Sequence, residues 1–209
     1  DIGCGWGGFA KYAAEHYGAK VTGITLSKEQ LEYAKEFTKG LDVELRLQDY
    51  RDLNGIFDKI LICGMIEHVG YKNYREIMEV VERNLADGGL FLLHTIGYPR
   101  SVHATDPWID KYIFPGGMPP SIAQIGKAVE KLFLVEVVHN FGAYYDKTLM
   151  AWFTNFDTAW PKFRAEYGER FYRMWKYYLL SCAGAFRARD IQLWQIVLSK
   201  KGVPGGYTS

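Results

Sequence analysis

The stretch DIGCGWGG, residues 1–8, decides the fold class of this chain. It places four glycines within residues 3–8, between an aspartate and the segment FAKYAAEHY (9–17), whose composition is that of a helix. Glycine-rich turns of this kind join the end of a β-strand to the start of a helix, because such a turn needs backbone conformations that other residues avoid. The opening residues therefore predict a β–α junction where a ligand approaches the backbone closely.

Downstream of this turn, short apolar or β-branched segments alternate with helical ones. The predicted strands are residues 20–25, 43–48, 57–64, 89–96, 132–140 and 191–200. The predicted helices are residues 9–17, 27–39, 72–86, 121–131 and 158–187. This alternation indicates a parallel α/β sheet with crossover helices. The proline- and glycine-rich residues 97–120 predict a long structured loop, and an aromatic, helical insertion precedes the last strand.

Composition narrows the class of protein further. The formal net charge of +1 gives no field for binding a nucleic acid, so no nucleic-acid partner is expected. Three scattered cysteines without a CxxC motif argue against a disulfide framework and a zinc site, and no metal is expected. No signal peptide and no apolar run of about 20 residues is visible, which predicts a soluble protein.

The glycine cluster fits two cofactor classes. Gly3, Gly5 and Gly8 satisfy the G-x-G-x-x-G fingerprint of dinucleotide sites, a weak match by itself. A nicotinamide site also needs an acidic residue after the second strand, where this chain has Ile24-Thr25-Leu26. The tighter pattern D-x-G-x-G-x-G, led by Asp1, is typical of S-adenosylmethionine sites, where a Cβ would hold the cofactor off the backbone. Adenosylmethionine is therefore the favoured cofactor over NAD.

Eight segments together carry a resemblance to one family. They are DIGCGWGG (1–8), GITLSKEQ (23–30), LQDYRDL (47–53), EHVG (67–70), FLLHTIG (91–97), DPWIDKYIFPGG (106–117), HNFGAYYDKTLMAW (139–152) and CAGAFRARDIQLWQ (182–195). From Asp1 to about residue 200, the chain is similar to the bacterial cyclopropane-fatty-acyl-phospholipid synthases, which also resemble the mycolic-acid cyclopropane synthases.

The resemblance implies a fold and a domain organisation. The fold is a Rossmann-like class I adenosylmethionine-dependent methyltransferase with a mostly parallel seven-stranded sheet. Residues 1–200 would form the catalytic domain, with a helical lid at about 142–187, and residues 201–209 a C-terminal tail. The N-terminal region of the family and the first half of its first strand are expected upstream of Asp1, so this chain resembles a fragment.

The resemblance also implies an activity. The double bond of an unsaturated phospholipid acyl chain attacks the methyl group of adenosylmethionine, and loss of a proton from the resulting carbocation closes a cyclopropane ring. The family is understood to hold bicarbonate as the base. The resemblance further implies a cytoplasmic enzyme that contacts the inner face of the membrane transiently. It leaves undecided whether the enzyme forms a homodimer. Two alternatives remain: a related C-methyltransferase that closes no ring, and an inactive fragment that only binds the cofactor.

The family's site residues carry over onto two sets of positions. The cofactor-binding set is Asp1, Gly3, Cys4, Gly5, Trp6, Gly7, Thr25, Leu26, Gln30, Asp49, Tyr50 and Arg51. The catalytic set, which would grip bicarbonate, is Glu67, His94, Ile96 through its backbone, and Tyr145. Two members have simpler structural explanations, since Gln30 can complete a capping box begun at Ser27 and Asp49 can cap a turn.

Aromatic and basic residues of the second half give weaker candidates. Phe141 and Tyr145 are nominated to stabilise the carbocation, because aromatic faces attract cations. The stripe of aromatic residues over 160–178 is better explained as helix packing. Arg187 and Arg189 either grip a lipid phosphate, stay solvated, or pair with Asp190.

Overall fold

A parallel pair of strands and a mixed group of four make up the sheet of the computed structural model, which describes residues 1–208. The strands are β1 (Val21–Thr25), β2 (Val43–Leu47), β3 (Phe57–Cys63), β4 (Leu85–Gly97), β5 (Leu134–Asn140) and β6 (Gln192–Ser199). β1 and β2 are parallel, as are β3 and β4, whereas β6 lies antiparallel between β4 and β5. The order in the larger group is β3-β4-β6-β5.

Ile2 connects the two groups of strands. It forms one parallel bridge to Ile24 of β1 and another to Ile62 of β3. Six strands are defined within residues 1–208, and Ile2 lies between β1 and β3, where the first strand of the sheet is expected. The count of seven strands stays a prediction. An apolar cavity of about 560 Å³ lies beside Ile2, lined in part by β1 and β3.

Helices surround this sheet. They are α1 (Gly8–Tyr17), α2 (Lys28–Phe37), α3 (Tyr74–Asn84), α4 (Pro107–Tyr112), α5 (Ile122–Val129), α6 (Gly142–Ala159) and α7 (Arg164–Arg187). Short 3₁₀ turns occupy Tyr50–Asp52, Ile66–His68, Tyr71–Asn73 and Trp160–Lys162. Side-chain caps fix the starts of α2, α4 and α5 at Ser27, Asp106 and Ser121, respectively.

Most predicted elements appear within a few residues of their expected positions, and the differences have local causes. β4 begins at Leu85, whereas the sequence predicts a helix up to residue 86 and a strand only from residue 89. The loop 97–120 contains α4, which begins with Asp106 as cap and Pro107 in its first turn. In the insertion, the structure has an additional helix, α6, before the helix predicted for residues 158–187. That predicted helix corresponds to α7, which Gly168 (φ 72°) interrupts.

Three apolar clusters hold these elements together, the smallest of which packs α1 on β1. The largest one buries side chains of β3, β4 and β6 against α3 and α5, with Phe91, Ile62 and Ile77 fully inaccessible. The second joins α6 and α7 to the sheet through Leu149, Leu179 and Leu193, with Ile96 at the end of β4 packed against it. The α6–α7 hairpin thus packs at the edge of the sheet where β4 ends.

Candidate active site

The glycines of the turn are needed for two different physical reasons. At Gly3 (φ 83°) a Cβ would lie 2.7 Å from the Met65 side chain, and at Gly7 (φ 82°) 3.0 Å from Ala34. These two glycines are required by packing within the protein. At Gly5 (φ 54°) a Cβ would meet nothing within 4 Å. Gly5 therefore presents bare backbone, in the left-handed conformation, to open space that a ligand can fill.

The side chains of the same turn do not all face that space. Cys4 is buried, and its Sγ would lie 3.1 Å from a Cβ added at Gly23, so Cys4 packs against β1. Trp6 is largely exposed and contacts Tyr33 of α2 edge-on at 5.4 Å between ring centroids. The carbonyl of Asp1 accepts the N–H of Ile24. Because the Cys4 side chain packs against β1, only the backbone of Cys4 is available to contact a cofactor.

Thr25 and Gln30 form a polar pair directly after β1. The Thr25 hydroxyl donates to Gln30 Oε1 at 2.9 Å and accepts the N–H of Ser27 at 3.2 Å. Ser27 caps α2 by accepting the N–H of Gln30. The structure records no return bond from the Gln30 side chain to Ser27, so the capping box is half formed and the Gln30 amide points to Thr25. Leu26 beside them is exposed.

Asp49, Tyr50 and Arg51 lie after β2 and bond to one another and to α3. The Asp49 carboxylate accepts the N–H of Arg51 at 2.9 Å, so it does cap the turn, and its other oxygen pairs with the Arg51 guanidinium at 3.0 Å. The Tyr50 hydroxyl donates to Glu76 at 3.2 Å. The turns after Ile2, β1 and β2 meet at one edge of the sheet, where open parallel sheets bind ligands.

Glu67 is the most unusual side chain at this edge. It follows β3 in the turn Ile66–His68 and is only 8% exposed. Its Oε1 accepts the N–H of Ile96 at 2.9 Å, whereas Oε2 is buried without a hydrogen-bond partner in residues 1–208. Burial raises the pKa of the Glu67 carboxyl, which favours its protonated form. The neighbouring Thr95 side chain opposes this shift, and a protonated Oε2 is a hydrogen-bond donor.

His94 and Tyr145 lie near Glu67 on two other elements. His94 is paired in register with Cys63, and its carbonyl accepts the N–H of Gly64 at 3.0 Å. Tyr145 belongs to α6, and burial is the largest cause that raises its phenol pKa. No hydrogen bond joins the three side chains within the described part of the chain. Their convergence on one anion stays a prediction.

The charges of these groups suit an anion held without a cation. Burial lowers the pKa of His94, so its imidazole is neutral near pH 7 and keeps one N–H donor. Burial also raises the pKa of Tyr145 and of Glu67, which favours the protonated, neutral form of each. The backbone of Ile96 has partners within the protein, because its N–H donates to Glu67 and its carbonyl accepts the Thr95 hydroxyl at 2.8 Å. Its contact with an anion stays a prediction.

A cavity of about 650 Å³ adjoins Glu67. Glu67, His68 and Ile96 contribute to its lining, together with the apolar side chains of Trp108, Ile109, Phe114 and Tyr177. Its size and predominantly apolar lining suit a hydrocarbon chain. The sequence prediction of site residues missed His68 and Trp108, although both stand in the segments EHVG and DPWIDKYIFPGG that carry the resemblance.

The weaker candidates of the second half have partners elsewhere. Arg187 pairs with Asp146 of α6 at 3.2 Å, and Arg189 donates to the amide oxygen of Gln192 at 3.0 Å. Phe141 stacks on His139 at 3.9 Å between ring centroids. The aromatic stripe of α7 packs on Phe156 and Trp160. Neither arginine pairs with Asp190.

Comparison with known proteins places this geometry in a family. The family model described as mycolic acid cyclopropane synthetase matches residues 1–196. The chain belongs to that family. It is 57% identical to cyclopropane-fatty-acyl-phospholipid synthase of Escherichia coli (strain K12), over 99% of this chain and 54% of that protein. It is 39% identical to a probable fatty acid methyltransferase of Pseudomonas putida, over 98% of this chain and 55% of that one.

A solved structure extends the likeness to the fold. The crystal structure of mycolic acid cyclopropane synthase CmaA1 complexed with SAH and CTAB superposes with a TM-score of 0.87 at 29% identity, covering 96% of this chain and 76% of that one. The predicted family and the class I methyltransferase fold are thereby confirmed. The chain spans about half the length of the curated relatives it matches.

Proposed function

We propose that this chain carries the active site of an adenosylmethionine-dependent cyclopropane synthase acting on the unsaturated acyl chains of phospholipids. The observation that carries the proposal is Glu67, a buried carboxyl with one oxygen lacking a partner and with its pKa raised by burial, beside an apolar cavity and the glycine turn. The matching name of the Escherichia coli relative supports the substrate class.

The residues present fit both small groups that the reaction needs. The bare backbone at Gly5 and the Thr25–Gln30 pair fit adenosylmethionine, which supplies an electrophilic methyl group when it is bound. The donors of Glu67, His94 and Tyr145 fit bicarbonate, which has oxygens to accept them and would serve as the proton acceptor. An anion held by neutral donors keeps its full charge, so these residues also favour a carbocation nearby.

In the reaction, the protein itself would hold the acyl chain and the Glu67 carboxyl in place and exclude water. The apolar lining around Trp108 and Phe114 would orient the acyl chain and keep water from the cation. The Glu67–Ile96 bond fixes the orientation of the carboxyl whose other oxygen would donate to bicarbonate. Overall, the double bond gains a methyl group, and a proton leaves that methyl group as the third ring bond forms, so the product gains one methylene.

A C-methyltransferase without ring closure is the second candidate, favoured by the name of the Pseudomonas relative. It differs only in the carbon that loses the proton. Among the described residues, no helix combines the length and the apolar character that a membrane crossing would require. We extend the proposal to a cytoplasmic enzyme that touches the inner face of the membrane transiently; assembly as a homodimer is part of the same proposal.

One incubation separates these functions. The chain is mixed with adenosylmethionine and an unsaturated phospholipid, and the acyl esters are analysed by mass and by ozonolysis. A cyclopropane adds the mass of one methylene and resists ozone, whereas a methyl-branched alkene has the same mass and is cleaved. Calorimetric binding of adenosylmethionine without any product would support the inactive-fragment alternative. Binding of NAD instead would refute the cofactor assignment.

Bicarbonate is tested in the same assay. Rigorous removal of carbonate should slow the reaction, and added bicarbonate should restore it. Full activity without bicarbonate would require a side chain as the base, and Glu67 would then be the first candidate.

A further inference from the structure

The two ends of the α6–α7 hairpin meet at one buried amide. Gln192, the first residue of β6, is 8% exposed. Its Oε1 accepts the Asn140 amide at 2.9 Å and the Arg189 guanidinium at 3.0 Å. Its Nε2 donates to the carbonyl of Arg189 at 2.7 Å. One side chain thus bonds to the residues that flank the hairpin on both sides.

On the entry side, this amide controls where α6 begins. Asn140 is held by Gln192, and Asn140 Oδ1 accepts the N–H of Gly142, the first residue of α6, at 2.9 Å. The backbones approach so closely that a Cβ on Gly142 would lie 3.1 Å from the Gln192 Cα. The N–H of Phe141 also donates to the carbonyl of Leu193 at 2.7 Å. The start of α6 is therefore fixed to the start of β6.

On the exit side, the same amide stabilises an unfavourable turn. Arg189 has a φ of 65°, in the left-handed region that residues other than glycine seldom occupy. The bond from Gln192 to its carbonyl and the bond from its guanidinium to Gln192 hold this conformation. Two residues earlier, Arg187 pairs with Asp146 and links the end of α7 to the first turns of α6.

The position of Tyr145 depends on this arrangement. Tyr145 lies one helical turn after Gly142, and its ring contacts Phe186 at 5.0 Å between centroids. A rotation or shift of the first turn of α6 would move the phenol relative to Glu67. A displacement of about 1 Å at a reacting group costs on the order of a hundredfold in rate.

We infer that Gln192 is a positioning residue: its side chain locks both ends of the α6–α7 hairpin and thereby sets the Tyr145 hydroxyl at the site of Glu67. The inference rests on the proposed function only for the chemical role of Tyr145. The lock itself is a property of the fold and has a test independent of catalysis.

The test compares Gln192→Leu with Gln124→Leu. The control removes an amide that closes the capping box of α5 with Ser121 and touches neither end of the hairpin. Hydrogen exchange of the amides of residues 142–146, the affinity for adenosylmethionine and the rate of product formation are measured for both. In Gln192→Leu, exchange should rise and turnover should fall, each by about tenfold or more, with cofactor affinity within about twofold of the native value.

Each outcome decides a separate claim. Exchange or turnover of Gln192→Leu equal to that of Gln124→Leu overturns the inference. If the native chain makes no product, the proposed activity fails and exchange alone decides on the lock. If Gln192→Leu does not fold, Asn140→Ala and Asn140→Asp take its place. The aspartate keeps the acceptor for the N–H of Gly142 but loses, like alanine, the amide that donates to Gln192. Both variants should therefore show faster exchange at residues 142–146 and lower turnover, and native exchange and turnover in the aspartate variant overturn the inference.

Discussion

The Oε1 atom of Glu67 accepts the backbone N–H of Ile96 at 2.9 Å, and this bond joins the turn after β3 to the end of β4. It leaves Oε2 buried and without a partner among the described residues. A carboxyl in this state is costly to ionise, because burial removes the hydration that stabilises the charge of an exposed carboxylate. The same pair therefore affects both the stability of the protein and its chemistry.

The first prediction concerns the pH dependence of stability. Burial raises the folded-state pKa of Glu67 above the value of about 4.3 in an unfolded chain. A raised pKa contributes stability that is complete below the unfolded pKa and is lost as the pH rises through the folded one. Glu67→Gln removes this loss, so the variant should gain stability relative to the native chain as the pH rises from about 4.

Urea unfolding of both proteins over a series of pH values measures this difference. Comparing the two proteins cancels the contribution of His94, whose lowered pKa acts in the opposite direction as the pH falls. A difference in free energy of unfolding that does not change with pH would show that Glu67 has an ordinary pKa in the folded state.

The second prediction concerns Tyr145. Tyr145→Phe should slow product formation by roughly a hundredfold, the range found when one preorganised donor is removed from an active site. Cofactor affinity should stay within about twofold, because the phenol acts on the transition state and not on cofactor binding. Tyr144→Phe is the matched control, since this neighbouring ring is 60% exposed. Similar rates for the two variants would remove Tyr145 from the catalytic set.

The sequence predicts the approach of His94 to the turn that carries Glu67, because the carboxyl ends of neighbouring parallel strands lie at the same edge of a sheet. It does not predict how Tyr145 reaches them. That depends on the folding back of α6, which lacks a clear apolar stripe and buries only Gly142 and Leu149 fully. The sequence also does not predict the hydrogen bond between Thr25 and Gln30, because the capping-box pattern predicts that the Gln30 side chain bonds to Ser27 instead.

The third prediction separates backbone strain from ligand contact in the glycine turn. Gly5 (φ 54°) and Gly18 (φ 62°) both have left-handed backbones and open space where a Cβ would lie. Valine at either position should cost about 1–3 kcal/mol of stability. Gly5→Val alone should abolish binding of adenosylmethionine in calorimetry, because only its Cβ would enter the cofactor space. Unchanged affinity in Gly5→Val, or equal loss in Gly18→Val, would contradict the assignment.

The last prediction tests the packing that supports the end of β4. At Gly97 a Cβ would lie 2.0 Å from the Cζ3 atom of Trp194, whose ring is buried on the neighbouring strand. Gly97→Ala should therefore destabilise the fold by about 1–3 kcal/mol, the usual cost of overpacking. Gly126→Ala in α5, where a Cβ meets nothing within 4 Å, should instead stabilise by about 0.5–1 kcal/mol.

A double-mutant cycle attributes the cost at Gly97 to the ring. In a Trp194→Leu background the Gly97→Ala change should cost less by about 1 kcal/mol or more, because the clashing atoms are gone. Urea unfolding of the four proteins measures this coupling. Equal costs in the two backgrounds would mean that the alanine is accommodated without contact with Trp194. Because Gly97 follows Ile96 directly, Gly97→Ala should also weaken the Ile96–Glu67 bond and lower turnover. The Trp194→Leu change should restore part of the turnover that Gly97→Ala loses.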